Sequence, residues 1–297
     1  MSETVGLIGV GRMGLPICRR LVQAGFDVTA GDRRPEREGD VRAAGGRWLG
    51  ETRLVVEAAD VLVTVLPGSD EMRDVMRTAI PALGSDKAWI DMTSAAPAVG
   101  LELMTRAEQR GAECLEVTLG GGVGAARTGT LQLFVGGGAH TLDRYRGLLE
   151  VLGTIEHVGD HGAGYLSKLL VNLLWFGQAV AVGEALLLAR REGLDLDVFV
   201  SALRRSAAAS NFVGADLEAL LDGDYLETFG LDRCCEELDA VVNLARDRAV
   251  PCDLSTMVQR AYRDALSRYG PVDGELLAVA RLEERAGLQL RHAPELH

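Results

Sequence analysis

Gly9-x-Gly11-x-x-Gly14 follows a short apolar run that begins at Val5, and Asp32 stands 18 residues past Gly14 at the end of a second such run. Gly9 permits a tight turn, Gly11 lets the backbone approach a pyrophosphate, and Gly14 lets a helix pack close to the strand. The helix start supplies unpaired N–H groups and the positive end of a dipole. The acid can accept hydrogen bonds from a ribose diol. The order strand, glycine turn, helix, strand, acid therefore points to dinucleotide binding. Farther on, Gly162-Ala-Gly164 leads into an apolar stretch that carries Lys168 and Asn172. Four residues apart on a helix, the two share a face. A lysine at the mouth of an apolar helix can have its pKa lowered by desolvation, which suits proton exchange with a hydroxyl or carbonyl. A snorkelling lysine beside a structural asparagine fits the same spacing and, on spacing alone, fits it better. Gly120-Gly121-Gly122 forms a third element, a loop whose backbone N–H groups can meet a small polar ligand.

The elements that must position these residues alternate strand and helix over 4–160. Strands are expected at 4–10, 27–31, 61–66, 88–92, 114–119, 131–136 and 156–158. The run 61–66 is almost continuously apolar, as a parallel strand covered on both faces would be. Pro67-Gly68 stops it at the carboxyl edge of the sheet, where ligands of open α/β sheets bind. Thr93-Ser94 ends the 88–92 strand, with hydroxyls suited to capping the next helix or touching a cofactor. From Gly164 onward only helices are expected, at 165–192, 197–208, 211–221, 232–248, 254–269 and 274–286, punctuated by Gly193, Gly223, Gly230, Pro251 and Gly270-Pro271. The fold class is thus α/β, with a Rossmann-type dinucleotide-binding domain over 1–163 and an all-helical domain over 164–297. The polar segment 288–297 reads as a frayed tail.

The chain has 297 residues, enough for two domains, and a net charge of −12. That charge argues against a nucleic-acid or anionic-membrane surface. The five cysteines (18, 114, 234, 235 and 252) show no C-x-x-C pair and no spacing to histidine that suits a metal. Reduced thiols, a cytoplasmic location and no metal are expected. The adjacent Cys234 and Cys235 are expected on a helix with one of them packed inside. The longest apolar run, 169–183, spans about 15 residues against the ~20 that cross a membrane, so a buried helix is expected.

These motifs together resemble the β-hydroxyacid dehydrogenase family, which includes 3-hydroxyisobutyrate dehydrogenases and relatives of 6-phosphogluconate dehydrogenase. The resemblance runs from residue 4 to about 286. The family's G-x-G-x-M-G-x-P stands as Gly9-Val-Gly11-Arg12-Met13-Gly14-Leu-Pro16, and its D-x-S-T as Asp91-Met-Thr93-Ser94 with the hydroxyl residues reversed. Its D-A-P-V-S-G-G loop aligns with Glu116 to Gly122, and its G-x-G-x-x-x-K-x-x-N-N with Gly162 to Asn172. The resemblance implies NAD or NADP as cofactor, held by Gly9, Gly11, Arg12, Met13, Gly14, Asp32, Arg33, Leu66, Pro67 and Thr93. It places the catalytic lysine on Lys168 and the substrate-orienting asparagine on Asn172. Gly120, Gly121 and Gly122 would line the substrate pocket. Hydride would pass between the nicotinamide and a small alcohol or carbonyl substrate, a β-hydroxyacid or semialdehyde. Asp32 leans the cofactor slightly to NAD, while Arg33 and Arg34 could hold a 2′-phosphate.

Three departures matter. The family's substrate-loop serine is Gly120, the first asparagine of its pair is Val171, and a lysine that lines the closed site is Glu236. A hydroxyl and a cation are lost and an anion is gained. Drift at a rim position explains this, and so does a neutral or basic substrate. An imine reductase-like enzyme is one alternative, although such enzymes usually lack the lysine; a non-catalytic cofactor-binding protein is the other. The strongly apolar 169–188 helix, with the resemblance, implies a homodimer formed through the helical domain. The substrate's identity and the direction of reaction are not legible.

Overall fold

The computed structural model describes residues 3–292. It divides into two compact units, Met1–Lys168 and Leu169–His297. In the first, the strands β1 (Thr4–Ile8), β2 (Asp27–Gly31), β3 (Arg47–Trp48), β4 (Val61–Thr64), β5 (Ala88–Asp91), β6 (Glu113–Gly120), β7 (Leu131–Gly136) and β8 (Gly153–Gly159) form one sheet in the order β3-β2-β1-β4-β5-β6-β7-β8. All neighbours are parallel except β6 and β7. The strands β4 and β5 are buried at every residue, as central parallel strands must be.

Helices cover both faces. On one, Ile17 and Leu21 of α1 (Gly14–Gln23), Val41 of α2 (Glu38–Ala43), Ala126 of α6 (Gly122–Thr128) and Leu148 of α7 (Ala139–Glu150) join the core. On the other lie Val55 of α3 (Thr52–Ala58), Met72 and Met76 of α4 (Ser69–Ala79) and Leu103 of α5 (Pro97–Glu108). The two-residue β3 was not expected; it is too short to carry a period, and its place on the sheet edge comes from pairing with β2. The final strand starts at Gly153, earlier than expected, because β8 is largely exposed and lacks an apolar signature.

The helix α8 (Ala163–Arg191) leaves the first unit and enters the second, so the division falls within this helix. Its 29 residues are long and apolar enough to cross a membrane by length and composition, more than the 15-residue apolar run suggests. In the second unit it is followed by α9 (Leu196–Leu203), α10 (Leu217–Asp222), α11 (Leu231–Asp247), α12 (Asp253–Tyr269) and α13 (Leu277–Ala286). The helix expected over 211–221 is broken into a π-helical turn, Phe212–Asp216, and α10. Trp175 donates its indole N–H to Asp216 at 2.8 Å beside that irregularity. Cys234 and Cys235 are both buried, not one of the two.

The expected frayed tail is anchored where it is described. Leu290 is fully buried, its N–H bonds to Glu283, and the Arg291 guanidinium bridges Glu283 and the Tyr225 hydroxyl. His292 reaches Asp197 at 2.6 Å and Glu218 at 3.1 Å. Residues 293–297 of that segment lie outside the described residues.

Candidate active site

The glycine turn sits between β1 and α1. Gly9 has φ +92°, and a Cβ there would collide with the Val65 carbonyl; a Cβ at Gly14 would collide with the carbonyl of Gly9. Glycine is therefore required at both, and the turn leaves the start of α1 without a side-chain cap. Met13 at that start is half-buried, and Arg12 is exposed. An uncapped helix start beside close-approach glycines is the setting that a dinucleotide's phosphates need.

Asp32 lies at the end of β2 with both carboxylate oxygens engaged. One accepts the Val10 N–H at 2.9 Å; the other accepts the Arg34 N–H at 3.0 Å and its Nε at 3.2 Å. Burial works to raise its pKa, but the hydrogen bonds from Arg34 and Val10 outweigh it and hold the carboxyl below its ordinary range. The Arg34 guanidinium reaches back over the turn, where a Cβ on Gly11 would lie 3.4 Å from it. Arg33 is exposed. Thr93 is fully buried, and its hydroxyl accepts the Leu66 N–H at 3.2 Å, which ties the ends of β4 and β5 together. It caps no helix: α5 starts after Ala96 without a side-chain cap, and Ser69 takes the Ala96 N–H. Pro67 is exposed beside Leu66. The glycine turn, Asp32, Leu66, Pro67 and Thr93 thus share the carboxyl edge of one parallel sheet.

Gly120 ends β6 on the same edge. Gly121 and Gly122 follow with φ +98° and +66°. A Cβ on Gly120 would meet Gln132 at 3.3 Å and the Phe134 ring at 3.4 Å, so this position faces β7 and is tight for a side chain.

Two buried acids hold the first turn of α8. Asp91 and Glu116 are register partners on the parallel strands β5 and β6, and neither is exposed. Asp91 accepts the Thr64 hydroxyl at 2.5 Å and the Tyr165 hydroxyl at 2.7 Å. Glu116 accepts the Gly164 N–H at 2.7 Å, while Thr118 donates to the Gly164 carbonyl at 2.8 Å. Burial pushes Asp91 up to about 6 against the hydrogen bonds from Thr64, Tyr165 and Thr93. Burial pushes Glu116 up to about 7 against amide hydrogen bonds from Gly164, Gly162 and Tyr165, with the charge of Asp91 adding to the rise. Lys168, half-buried, follows one turn after Gly164 and is the last residue of this unit.

In the second unit, the Asn172 carboxamide donates to Glu237 on α11 at 2.6 Å. Glu237 is 8% exposed. Glu236, the position singled out from sequence, is instead exposed and paired with Arg233 at 3.0 Å, one turn earlier on the same helix. The helical period turns adjacent residues to different sides, and it is Glu237 that meets Asn172. Sequence reasoning gave no role to Tyr165 or Glu237, and none to Asp91 or Glu116 beyond their places in motifs. The available signal for the last two was an acid set among apolar neighbours in a strand, Asp91 after Trp89-Ile90 and Glu116 between Leu115 and Val117.

A family profile described as the NAD binding domain of 6-phosphogluconate dehydrogenase matches residues 4–162, and one described as the NAD-binding of NADP-dependent 3-hydroxyisobutyrate dehydrogenase matches 162–282. A 3-hydroxyisobutyrate dehydrogenase of Pseudomonas aeruginosa is 30% identical over 210 residues, 69% of this chain and 70% of that one. Among solved structures, Mycobacterium tuberculosis 3-hydroxyisobutyrate dehydrogenase, described with L-serine, superposes with a TM-score of 0.85 at 24% identity, covering 95% of this chain and 99% of the other. An imine reductase of Myxococcus stipitatus gives a TM-score of 0.65 at 22% identity, over 95% and 99%.

Proposed function

This chain is an NAD(P)-dependent oxidoreductase of the β-hydroxyacid dehydrogenase family, and on that premise we propose that it oxidises a small β-hydroxyacid, or reduces the matching semialdehyde, with Lys168 as general acid–base. The bound nicotinamide supplies or takes up the hydride. Lys168 accepts the hydroxyl proton in oxidation and returns it to the carbonyl oxygen in reduction. Asn172 orients the substrate, and the Gly121 and Gly122 N–H groups receive its carboxylate. The glycine turn, Leu66, Pro67 and Thr93 hold the cofactor, with Arg12 and Arg33 as exposed cations at its rim. Asp32 retains the slight lean to NAD.

The observation that carries this reading is the anchoring of the α8 turn that bears Lys168: strand side chains fix Gly164 and Tyr165, so the lysine starts from a defined backbone position. Glu236 is exposed to solvent and faces Arg233, which weakens the effect of its charge on a substrate and leaves room for an acid. The intact Lys168 supports alcohol–carbonyl chemistry over the imine reductase alternative. Purified protein should oxidise 3-hydroxyisobutyrate or L-serine with NAD or NADP. Lys168→Ala should lower kcat by at least ~10²-fold, with NAD(P)H affinity little changed. Near-normal turnover in that variant would remove Lys168 from the mechanism.

The protein is proposed to act as a soluble cytoplasmic homodimer, without a nucleic-acid or membrane partner. Leu170, Leu174 and Leu188 are exposed along α8, and Leu254 and Met257 are exposed on α12. Apolar area on this scale supports cover by a second copy, and Lys168, Asn172 and Glu184 within α8 disfavour a lipid setting. Light scattering at micromolar concentration should give twice the chain mass, and Leu174→Glu with Leu188→Glu should shift it to the monomer mass.

A further inference from the structure

Glu237 is a buried acid to which the proposed chemistry gives no part. It lies on α11 where that helix packs against α8: Phe176, one turn beyond Asn172, belongs to the same apolar cluster as Leu231, Cys234 and Leu238. That seam fixes the two helices in register, and the 2.6 Å bond from Asn172 to Glu237 extends it by one turn. A carboxylate offers only acceptors, whereas a carboxamide has a donor end and an acceptor end of nearly equal shape. Beside an ionised Glu237, only one orientation of Asn172 makes a hydrogen bond: Nδ2 toward the acid, Oδ1 away from it. Glu236 does not compete, since it is exposed and paired with Arg233.

We propose that Glu237 is a positioning residue that locks the Asn172 carboxamide, one Nδ2–H on the acid, so that the second Nδ2–H is presented as a donor to the substrate oxygen. The proposal rests on the reading that Asn172 touches the substrate. The hydroxyl proton is then left for Lys168 in oxidation, and the same N–H holds the carbonyl oxygen in reduction. A substrate lacking that oxygen would leave the N–H unpaired, and recognition of this kind discriminates strongly once water is excluded.

The test has two arms. In protein labelled with 15N-asparagine, the Asn172 side-chain signal, assigned by its loss in Asn172→Ala, should show one strongly downfield proton. In Glu237→Gln that proton should move upfield, and in Glu237→Asp it should keep part of its shift. In kinetics on 3-hydroxyisobutyrate or L-serine, Glu237→Gln should lower kcat/KM about tenfold or more, as loss of a hydrogen bond to a charged group does. NAD(P)H affinity should stay unchanged. Glu237→Gln added to Asn172→Ala should cost less than about twofold further, because a residue acting through Asn172 has nothing left to position. An Asn172 signal indifferent to Glu237→Gln, or full additivity of the two losses, overturns the proposal. If neither acid is oxidised, the substrate reading fails and the side-chain spectrum alone decides the positioning claim. Should Glu237→Gln not fold, Glu237→Asp and Asn172→Ala carry the same spectral and kinetic comparison.

Discussion

Lys168 and Asn172 stand one turn apart on a single helix, yet acids of different kinds hold their surroundings. The turn before Lys168 is fastened to the sheet by Asp91 and Glu116, two adjacent carboxyls without exposure whose pKa values lie near neutrality. Among the described residues, neither is paired with a lysine or arginine. Asn172 is fastened to α11 by one acid, Glu237, through one short hydrogen bond. The first arrangement tolerates a proton, because a protonated carboxyl still accepts the Gly164 N–H and sheds the penalty of a buried charge. The second draws its direction from an acceptor-only group. The end of the helix that bears Lys168 is thus pH-sensitive in its support, and the part that bears Asn172 is held by polarity.

The largest effect that tests this contrast is on stability against pH. Both carboxyls of the pair have folded-state pKa values raised above their ordinary ones, so the native protein holds protons that the unfolded chain releases. Their contribution is fully present below about pH 4 and is lost as pH rises through 6 to 7. Urea unfolding at pH 5 and pH 8 should show it: Glu116→Gln, which keeps an acceptor for Gly164 but has no charge to bury, should gain on wild type between the two pH values. The difference should be on the order of 3 kcal/mol. Parallel pH trends in the two proteins would mean that the acid pair does not titrate where its burial places it.

A smaller effect is expected from Tyr165→Phe. Its hydroxyl donates to Asp91 at 2.7 Å, and its ring packs against Gly100. Removing only the hydroxyl leaves a buried acceptor short of a donor, a loss of about 1–3 kcal/mol. Because the lost bond favoured the charged form, the pKa of Asp91 should rise further and the cost should be larger at pH 8 than at pH 5. An equal cost at both would show that Asp91 does not change protonation between these pH values.

The sequence made one half of this comparison more legible than the other. Helical spacing put Lys168 and Asn172 on one face and only the family resemblance singled them out, whereas the glycine turn followed from backbone need and Asp32 from its place at a strand end. The acid pair meets α8 through hydrogen bonds 48 and 74 residues apart in the chain, and no local period reports those. Glu237 was out of reach for another reason. Adjacent acids 236 and 237 look alike in a string, and only the packing of α11 decides which turns to Asn172. The same limit applies to the fold: buried strands were readable from apolar runs, while β3, the π-helical turn and the strap around Leu290 depend on partners distant in sequence.

Asp32 supplies a third acid that sharpens the contrast, with the smallest expected effect. It has what the buried pair lacks, a cation, and its pKa is shifted downward instead of upward. Its contribution to stability is therefore present at neutral pH and lost as pH falls through its lowered folded-state value. In the proposed cofactor site its charge would face the position where NADP carries a 2′-phosphate and NAD a hydroxyl. Asp32→Ala should free Arg34 and remove the repulsion, so the ratio of Kd for NADPH to that for NADH should fall by about tenfold, or 1.4 kcal/mol. Fluorescence titration of wild type and variant with both cofactors measures this without any substrate. A ratio that does not move would show that Arg34 already cancels the carboxylate in the folded protein.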